Sequence, residues 1–406
     1  MRRRLLFVDD EPLILDALRR ALRGMHHEWE MTFVTSASAA LAELNREGCD
    51  AVVTDMRMPE MDGAELLHEV QKRYPKTVRI VLSGQSHADA ILRSIDPAHQ
   101  FLSKPCDIEE LKRRLSLAFS MRDLVTNSAL GATVTKLQSI PSHPFVYSEL
   151  MKALGSNIAS LKQIEKIISG DAALATRTLQ LANSAFIGAS GQVSSLQKAV
   201  SLIGTETLRT LALALHVFSR FKGNPKASKY LSALWEHSLE VVYLARQIAL
   251  KGNYPASLAE QTSTAAIIHD VGIAVLLAEM PDEYAKAFKS AKDDIPQVSL
   301  EQERQTFGCT HAQVGAYLLS IWGLPSTLVY AVGLHHSPSA DLQAQFSPLT
   351  AVYLADAVIN RDPENAFEQC EDLDLRYLER FGIGPDIGEW EKVYKDSKKR
   401  HERTGT

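Results

Sequence analysis

The stretch "LLFVDD", residues 5–10, decides the fold of the first third of the chain: an apolar run of strand length stops at two aspartates. The same pattern returns in "MTFVTS" (31–36), "AVVTDM" (51–56), "RIVLSG" (79–84) and "QFLSKP" (100–105). Segments of helical period separate these runs, among them "ILDALRRALRG", "SAALAELNREG" and "GAELLHEVQKRYP". Strand and helix alternating in this way specify an α/β fold, a doubly wound parallel sheet of five strands with helices on both faces. Such sheets carry their sites at the carboxyl ends of the strands.

Polar residues collect at that edge. Asp9 and Asp10 end the first run, Asp55 the third, Ser83 the fourth and Lys104 the fifth. Any one of the acids could simply cap the helix that follows it. All five residues together describe a pocket. Three carboxylates brought close repel one another unless a hard cation neutralises them, and an oxygen-only ligand set suits Mg²⁺. A nearby lysine offers a fixed positive charge to an incoming phosphoryl group, and a hydroxyl can hydrogen-bond the phosphate once attached.

With these positions filled, residues 3–122 closely resemble the receiver domain of two-component response regulators. The resemblance implies a phosphoprotein whose phosphoacceptor is Asp55, phosphorylated by a sensor histidine kinase. It implies Mg²⁺ held by Asp9, Asp10 and Asp55 with the backbone carbonyl of Arg57, and phosphoryl contacts from Ser83 and Lys104. Pro105 is the residue usual after that lysine. Phe101 matches an aromatic that turns inward on phosphorylation, and it reads equally as a core residue of the last strand. Added charge at Asp55 would draw Ser83 toward it and bias a two-state surface on the side of "IEELKRRLSLAFSMRDLV".

Bulk properties limit the rest. At 406 residues the chain exceeds one ordinary core. With 45% hydrophobic and 23% charged residues and a net charge of -5, it lacks the basic surplus that nucleic acid binding requires. No basic recognition helix follows the first unit either. Cys49, Cys106, Cys309 and Cys370 are scattered without pairing and suit a reducing compartment. The opening "MRRRLLFVDDEP" is basic, but its acids break the apolar stretch at once, and no run is long enough to span a bilayer. The expectation is a cytoplasmic protein without nucleic acid or membrane partners.

The last helix of the first unit runs on past Ser120 into "TNSALGATVTKLQSIPSHP", where periodicity fades and Gly131, Pro141 and Pro144 interrupt the chain. Beyond lies a helical unit with no convincing strand. In it, "DAALATRTLQLANSAFIG" and "VSSLQKAVSLIGTETLRTLAL" resemble the first half of the HDOD family, through Asp171, Asn183, Ser184, Ile203 and Gly204. Read from chemistry alone, Asn183 and Ser184 can tie a helix end and Gly204 can supply positive φ at a C-cap. The expected organisation is a receiver domain at 1–122, a helical linker at 123–135, an all-α HDOD domain at 136–390 and a charged tail at 391–406, frayed and solvated.

Of the 13 histidines, several recur on apolar helices in the second half. They are His237 in "WEHSLEV", His269 with Asp270 in "IIHDVGI", His311 in "CTHAQVGA", and His335 with His336 in "GLHHSP"; Asp356 follows in "YLADAV". A lone histidine on an apolar face is ordinarily a hydrogen-bonded core residue. Imidazoles and carboxylates converging from several helices instead bind Fe, Mn or Zn, and two adjacent ions can clamp a phosphodiester. The order H, HD, H, HH, D is similar to the metal ligands of the wider HD phosphohydrolase superfamily, including the HD-GYP cyclic di-GMP phosphodiesterases. By that resemblance all seven residues are candidate ligands. Active HD-GYP enzymes carry a lysine in "HDxGK", whereas this chain has Ile273; a glutamate four residues before the first histidine is here Ala233, and "SPSADLQAQFSPLT" holds no G-Y-P loop. The expected function is therefore a response regulator whose helical unit changes its contacts with a downstream signalling protein or with a second copy in a homodimer. The competing expectation is a phosphorylation-controlled metal phosphohydrolase acting on a nucleotide or cyclic dinucleotide.

Overall fold

The computed structural model describes residues 2–83, 98, 100–104, 106–126, 164, 196–204, 225–252, 254–280, 283–284, 299–321, 325–341, 345–361, 373–383 and 387–404. Two compact units are present, one carried by residues 1–124 and the other by 146–317 and 325–406.

The first unit is a five-stranded sheet: β1 (Arg3–Val8), β2 (Trp29–Val34), β3 (Ala51–Asp55), β4 (Val78–Ser83) and β5 (Gln100–Ser103). All pairings are parallel and the order is β2-β1-β3-β4-β5. Chain order reverses at β1, so the crevice at its carboxyl end is the topological switch point where such sheets bind ligands. The alternation of the pleat divides the core. Leu6, Val8, Val52 and Val81 face a cluster completed by Ala40 and Leu44 of α2 (Ala37–Glu47) and by Leu66, Leu67 and Val70 of α3 (Gly63–Arg73). On the odd-numbered side of β1, Phe7 stacks on its register partner Phe33 at 4.9 Å between ring centroids.

Local chemistry explains where the elements start. Pro12 opens α1 (Pro12–Ala21), where its missing N–H costs nothing. The Ser36 hydroxyl accepts the Ala39 N–H at 3.2 Å and starts α2. Asp62 and Glu65 form a reciprocal capping box at the head of α3. β2 begins two residues earlier than the apolar run "MTFVTS" suggested, because buried Trp29 pairs with Arg3 and sets its ring edge-on to Phe119. Phe119 belongs to α4 (Ile108–Thr126), which continues past Ser120 into the expected linker. Gly131 of that linker lies outside the described residues, as do Pro141, Pro144, Pro105, Asp171, Asn183 and Ser184.

The second unit is helical. Its described helices are α5 (Leu196–Ile203), α6 (Pro225–Lys251), α7 (Ala256–Ile268), α8 (Val271–Glu279), α9 (Leu300–Phe307), α10 (His311–Ile321), α11 (Ser326–Leu334), α12 (Pro348–Asn360), α13 (Leu375–Glu379) and α14 (Ile387–Thr404). Ile203 ends α5, and Gly204 follows at φ +82°, its N–H bonded to the Val200 carbonyl at 3.1 Å. That is the left-handed residue a helix terminus favours. α12 is buried on nearly every residue and packs against α6, α7 and α11, as expected for a helix apolar all round. Among the described residues, no helix is long and apolar enough to cross a membrane.

One expectation is corrected. Within the segment 391–406, expected to be a frayed tail, residues 391–404 continue α14, which is helical through Thr404. Trp390, Tyr394 and Ser397 recur at helical spacing and are buried, while Lys392, Lys395 and Asp396 face outward. The Tyr394 hydroxyl donates to Glu240 on α6 at 2.7 Å, and Lys251 pairs with Glu389 and lies 5.1 Å over the Trp390 ring. A stripe of two aromatics was enough to dock a helix whose composition is dominated by charge.

Candidate functional site

Among the described residues, two groups of chemically active side chains stand out, one in each unit. In the first, Asp9 lies just beyond β1 and Asp55 ends β3, both buried at the carboxyl edge of neighbouring strands. Lys104, just past β5, reaches both: its Nζ is 2.8 Å from Asp9 Oδ2 and also pairs with Asp55 Oδ1. The remaining oxygens are satisfied by the backbone, Asp9 Oδ1 accepting from the Glu11 N–H at 3.0 Å and Asp55 Oδ2 from the Arg57 N–H at 2.8 Å. Burial works against the Lys104 ammonium, but the carboxylates of Asp55 and Asp9 outweigh it and raise its pKa. Asp10 is exposed beside them.

Gly63 fixes the loop that follows Asp55. A Cβ there would fall 2.1 Å from the Asp55 carbonyl oxygen, so only glycine lets α3 start against the end of β3. Ser83 and Phe101 are placed by backbone only, Ser83 ending β4 opposite Ser103 and Phe101 opposite Val81; their side chains lie outside the description.

The second group gathers all seven histidine and aspartate candidates. His237 comes from α6, His269 and Asp270 from the turn between α7 and α8, His311 from the first position of α10, His335 and His336 from the end of α11, and Asp356 from α12. Six of them form two overlapping sets of potential ligand atoms, Asp270 with His311, His335 and His336, and Asp270 with His237 and His269, while Asp356 stands beside His237. Asp270 belongs to both. Its Oδ1 lies 3.3 Å from His311 Nε2 and 3.4 Å from His335 Nε2, and its Oδ2 lies 3.1 Å from His269 Nε2 and 3.8 Å from His237 Nε2. Asp356 Oδ1 accepts from His237 Nε2 at 3.0 Å and from the Asn360 amide at 2.9 Å.

The outward-facing ring nitrogens determine what the inward ones can do. His269 Nδ1 meets the Ala266 carbonyl at 2.8 Å and His335 Nδ1 meets the Val332 carbonyl at 2.6 Å. A carbonyl only accepts, so both Nδ1 atoms carry hydrogen, and in the neutral ring Nε2 is left with its lone pair. The imidazole nitrogens nevertheless crowd together, His311 Nε2 lying 3.3 Å from His335 Nε2 and 3.1 Å from His336 Nε2. Both oxygens of Asp270 and Nε2 of His269 are buried without a hydrogen bond; the close approaches to Asp270 are poorly aligned for one. Lone pairs converging in this way repel unless a cation or proton lies among them. The donor set therefore fits a transition metal of the Fe, Mn or Zn type.

The electrostatics agree. Burial, then the neighbouring His336 charge, hold His335 down to about 4; burial and then His311 hold His336 at about 4. The neutral imidazole these shifts favour is the form that offers a lone pair to a metal. Burial opposes the charged form of His269, yet the Asp270 carboxylate outweighs it and lifts the ring to about 9. Burial likewise opposes the Asp270 and Asp356 carboxylates, but His269 draws the first well below its usual range and the hydrogen bond from His237 brings the second to about 2. Ile273, on α8 one turn after Asp270, is fully buried and offers no charge.

Two residues of this site escaped the sequence reading. Glu303, on α9, is fully buried and holds His311, and Asn360 holds Asp356 from one helical turn away. The signal for Glu303 was its place on the stripe Leu300–Glu303–Phe307, which is buried throughout. A glutamate on the apolar side of an amphipathic helix needs a partner.

Comparison with known proteins places both units. A model of the response regulator receiver domain matches residues 5–116, and a model of the HDOD domain matches residues 140–338. The hydrogenase transcriptional regulatory protein HoxA of Cupriavidus necator is 40% identical over 102 residues, which is 25% of this chain and 20% of that protein. An uncharacterized protein of Treponema pallidum is 26% identical over 248 residues, 60% of this chain and 47% of the relative. A crystal structure of an HDOD domain protein from Geobacter sulfurreducens is 22% identical, covering 69% of this chain and 89% of that one at a TM-score of 0.47. The chain thus spans less than half the length of these two curated relatives.

Proposed function

Because the chain is a response regulator receiver domain joined to an HDOD output domain, we propose that it is a phosphorylation-driven signalling protein in which Asp55 accepts a phosphoryl group from a sensor histidine kinase and the helical unit passes the signal on by changing its protein contacts. The observation that carries this reading is the junction of Asp9, Asp55 and Lys104 at the switch point of the sheet. An Asp55 carboxylate oxygen would form the new bond to phosphorus as the bond to the kinase's histidine nitrogen breaks. Lys104 already bonds Asp55 Oδ1 and would hold the negative phosphoryl oxygens. Asp9, Asp10 and Asp55, with the Arg57 carbonyl, would hold Mg²⁺, which supplies neutralisation of the same oxygens. Ser83 would turn toward the new phosphate, and Phe101 would follow.

A second reading has its own observation. The two ligand sets sharing Asp270 suit a pair of metal ions, and so support a metal phosphohydrolase acting on a nucleotide or cyclic dinucleotide. Fully buried Ile273 weighs against it, since no cation stands there for a substrate phosphate.

Treatment with acetyl phosphate and Mg²⁺ tests the first reading: the protein should gain one hydroxylamine-labile phosphoryl group, and Asp55→Asn should gain none. Labelling of Asp55→Asn equal to wild type would refute it. Metal analysis followed by a nucleotide hydrolysis panel tests the second, which fails if the loaded protein turns over nothing.

A further inference from the structure

Glu303 stands apart from the other buried acids because its whole carboxylate serves one residue. Oε2 accepts the His311 backbone N–H at 2.8 Å and lies 2.9 Å from His311 Nδ1, while Oε1 lies 3.0 Å from the same nitrogen. Arg304 beside it turns to Glu301 instead, at 3.9 Å. A fully buried carboxylate is costly without positive charge in reach. His311 is its route to such charge, because the far nitrogen of that ring, Nε2, points into the set formed by Asp270, His335 and His336.

The surrounding backbone is built to hold this geometry. α9 closes on Gly308 at φ +73°, and three residues later His311 opens α10. Thr310 and Gln313 bond reciprocally across that first turn, the Thr310 N–H to Gln313 Oε1 at 3.1 Å and the Gln313 N–H to Thr310 Oγ1 at 3.3 Å. A Cβ on Gly272 would lie 1.9 Å from the His311 carbonyl oxygen, so the first turns of α8 and α10 are in backbone contact and His269–Asp270 and His311 share one rigid frame. Within that frame two freedoms remain, the orientation of the His311 ring and the choice of which nitrogen carries hydrogen. Glu303 removes both.

We propose that Glu303 is a positioning residue for metal binding: by accepting from His311 Nδ1–H it aims the Nε2 lone pair of His311 at the ligand set shared with Asp270 and raises its strength as a donor. Outer carboxylates do this for ligating histidines generally. The proposal rests on the histidine cluster holding a metal, and its test separates the two ideas.

Full-length protein, stripped of metal, is titrated with Co²⁺ as wild type, Glu303→Gln, Glu303→Ala and, as a control for damage to the same helix end, Thr310→Ala. In parallel, imidazole ¹⁵N spectra of the metal-free proteins report the His311 tautomer. The expected result is a Co²⁺ affinity loss of about 10–100-fold for Glu303→Ala, a smaller loss for Glu303→Gln, which keeps one acceptor, and for Thr310→Ala a loss well short of that of Glu303→Ala. Glu303→Ala and Thr310→Ala losing affinity alike would mean a purely structural role and overturn the proposal, as would unchanged affinity in Glu303→Ala. If wild type binds no Co²⁺, the metal reading of the cluster fails on its own. The spectra then decide the role of Glu303: a His311 ring held as Nδ1–H in wild type and released to Nε2–H in Glu303→Ala supports it, and identical spectra overturn it.

Discussion

The receiver pocket and the histidine cluster both bury two aspartates, and they settle the resulting charge in opposite ways. In the pocket, Lys104 bridges Asp9 and Asp55 and backbone N–H groups take the remaining oxygens. In the cluster, Asp356 is hydrogen-bonded by His237 and Asn360, but neither oxygen of Asp270 has a hydrogen bond, and among the described residues the groups that approach it are the imidazoles of His237, His269, His311 and His335. One site therefore carries its counter-charge in the chain, and the other is completed from solution, by protons or by metal. A built-in cation keeps its pocket balanced in charge with nothing bound. A borrowed one suits a site whose occupancy can itself be varied.

The largest break in this contrast should come from Asp270→Ala. It removes the oxygen pair common to both ligand sets, so bound metal measured by elemental analysis should fall by on the order of a hundredfold or more, beyond the loss typical of an outer-sphere change. In metal-free protein near pH 7 the same variant should be less stable than wild type, because the Asp270 carboxylate is what holds the buried His269 ring in its charged form, and its removal leaves that ring without a counter-charge. Metal content equal to wild type would collapse the distinction between the two sites.

Gly272→Ala is next. Its added methyl would overlap the His311 carbonyl, and the thermal transition of the helical unit should show a loss of about 3 kcal/mol, with metal content falling as well. An unshifted transition would mean that α8 and α10 are not in backbone contact.

The smallest effect is expected from Lys104→Gln, which turns the receiver pocket into an analogue of the cluster. Removing the cation between Asp9 and Asp55 should cost the receiver about 1–2 kcal/mol, less than in a fully dry pair because Lys104 is 24% exposed. Saturating Mg²⁺ should restore most of that loss in a denaturant titration, and much more than it adds to wild type. Equal Mg²⁺ response in both proteins would show that Lys104 is not the compensating charge.

How much of this was legible depends on whether the signal is local. The sheet is written in runs of strand length, and the rule that sites gather at strand ends brought Asp9, Asp55 and Lys104 together before any coordinates. The order of the histidines gave the cluster, but the bridging position of Asp270 did not follow from order, because it depends on distances among α6, α8, α10 and α11. Glu303 was hidden in "LEQERQTF", a segment that looks solvated until Leu300, Glu303 and Phe307 are seen to share a buried face. Composition misled in 391–406, where Trp390 and Tyr394 outweigh a run of charges.

The docking of that last helix has a practical side. Tyr394 grips Glu240, which stands one turn beyond His237 on α6. A protease cut or a stop codon near residue 386 would therefore remove a brace from the helix that carries one of the cluster's histidines, although among the described residues no candidate ligand lies beyond Asp356. Loss of function in a shortened protein would look like the loss of a separate C-terminal activity, while its origin would be a loosened α6.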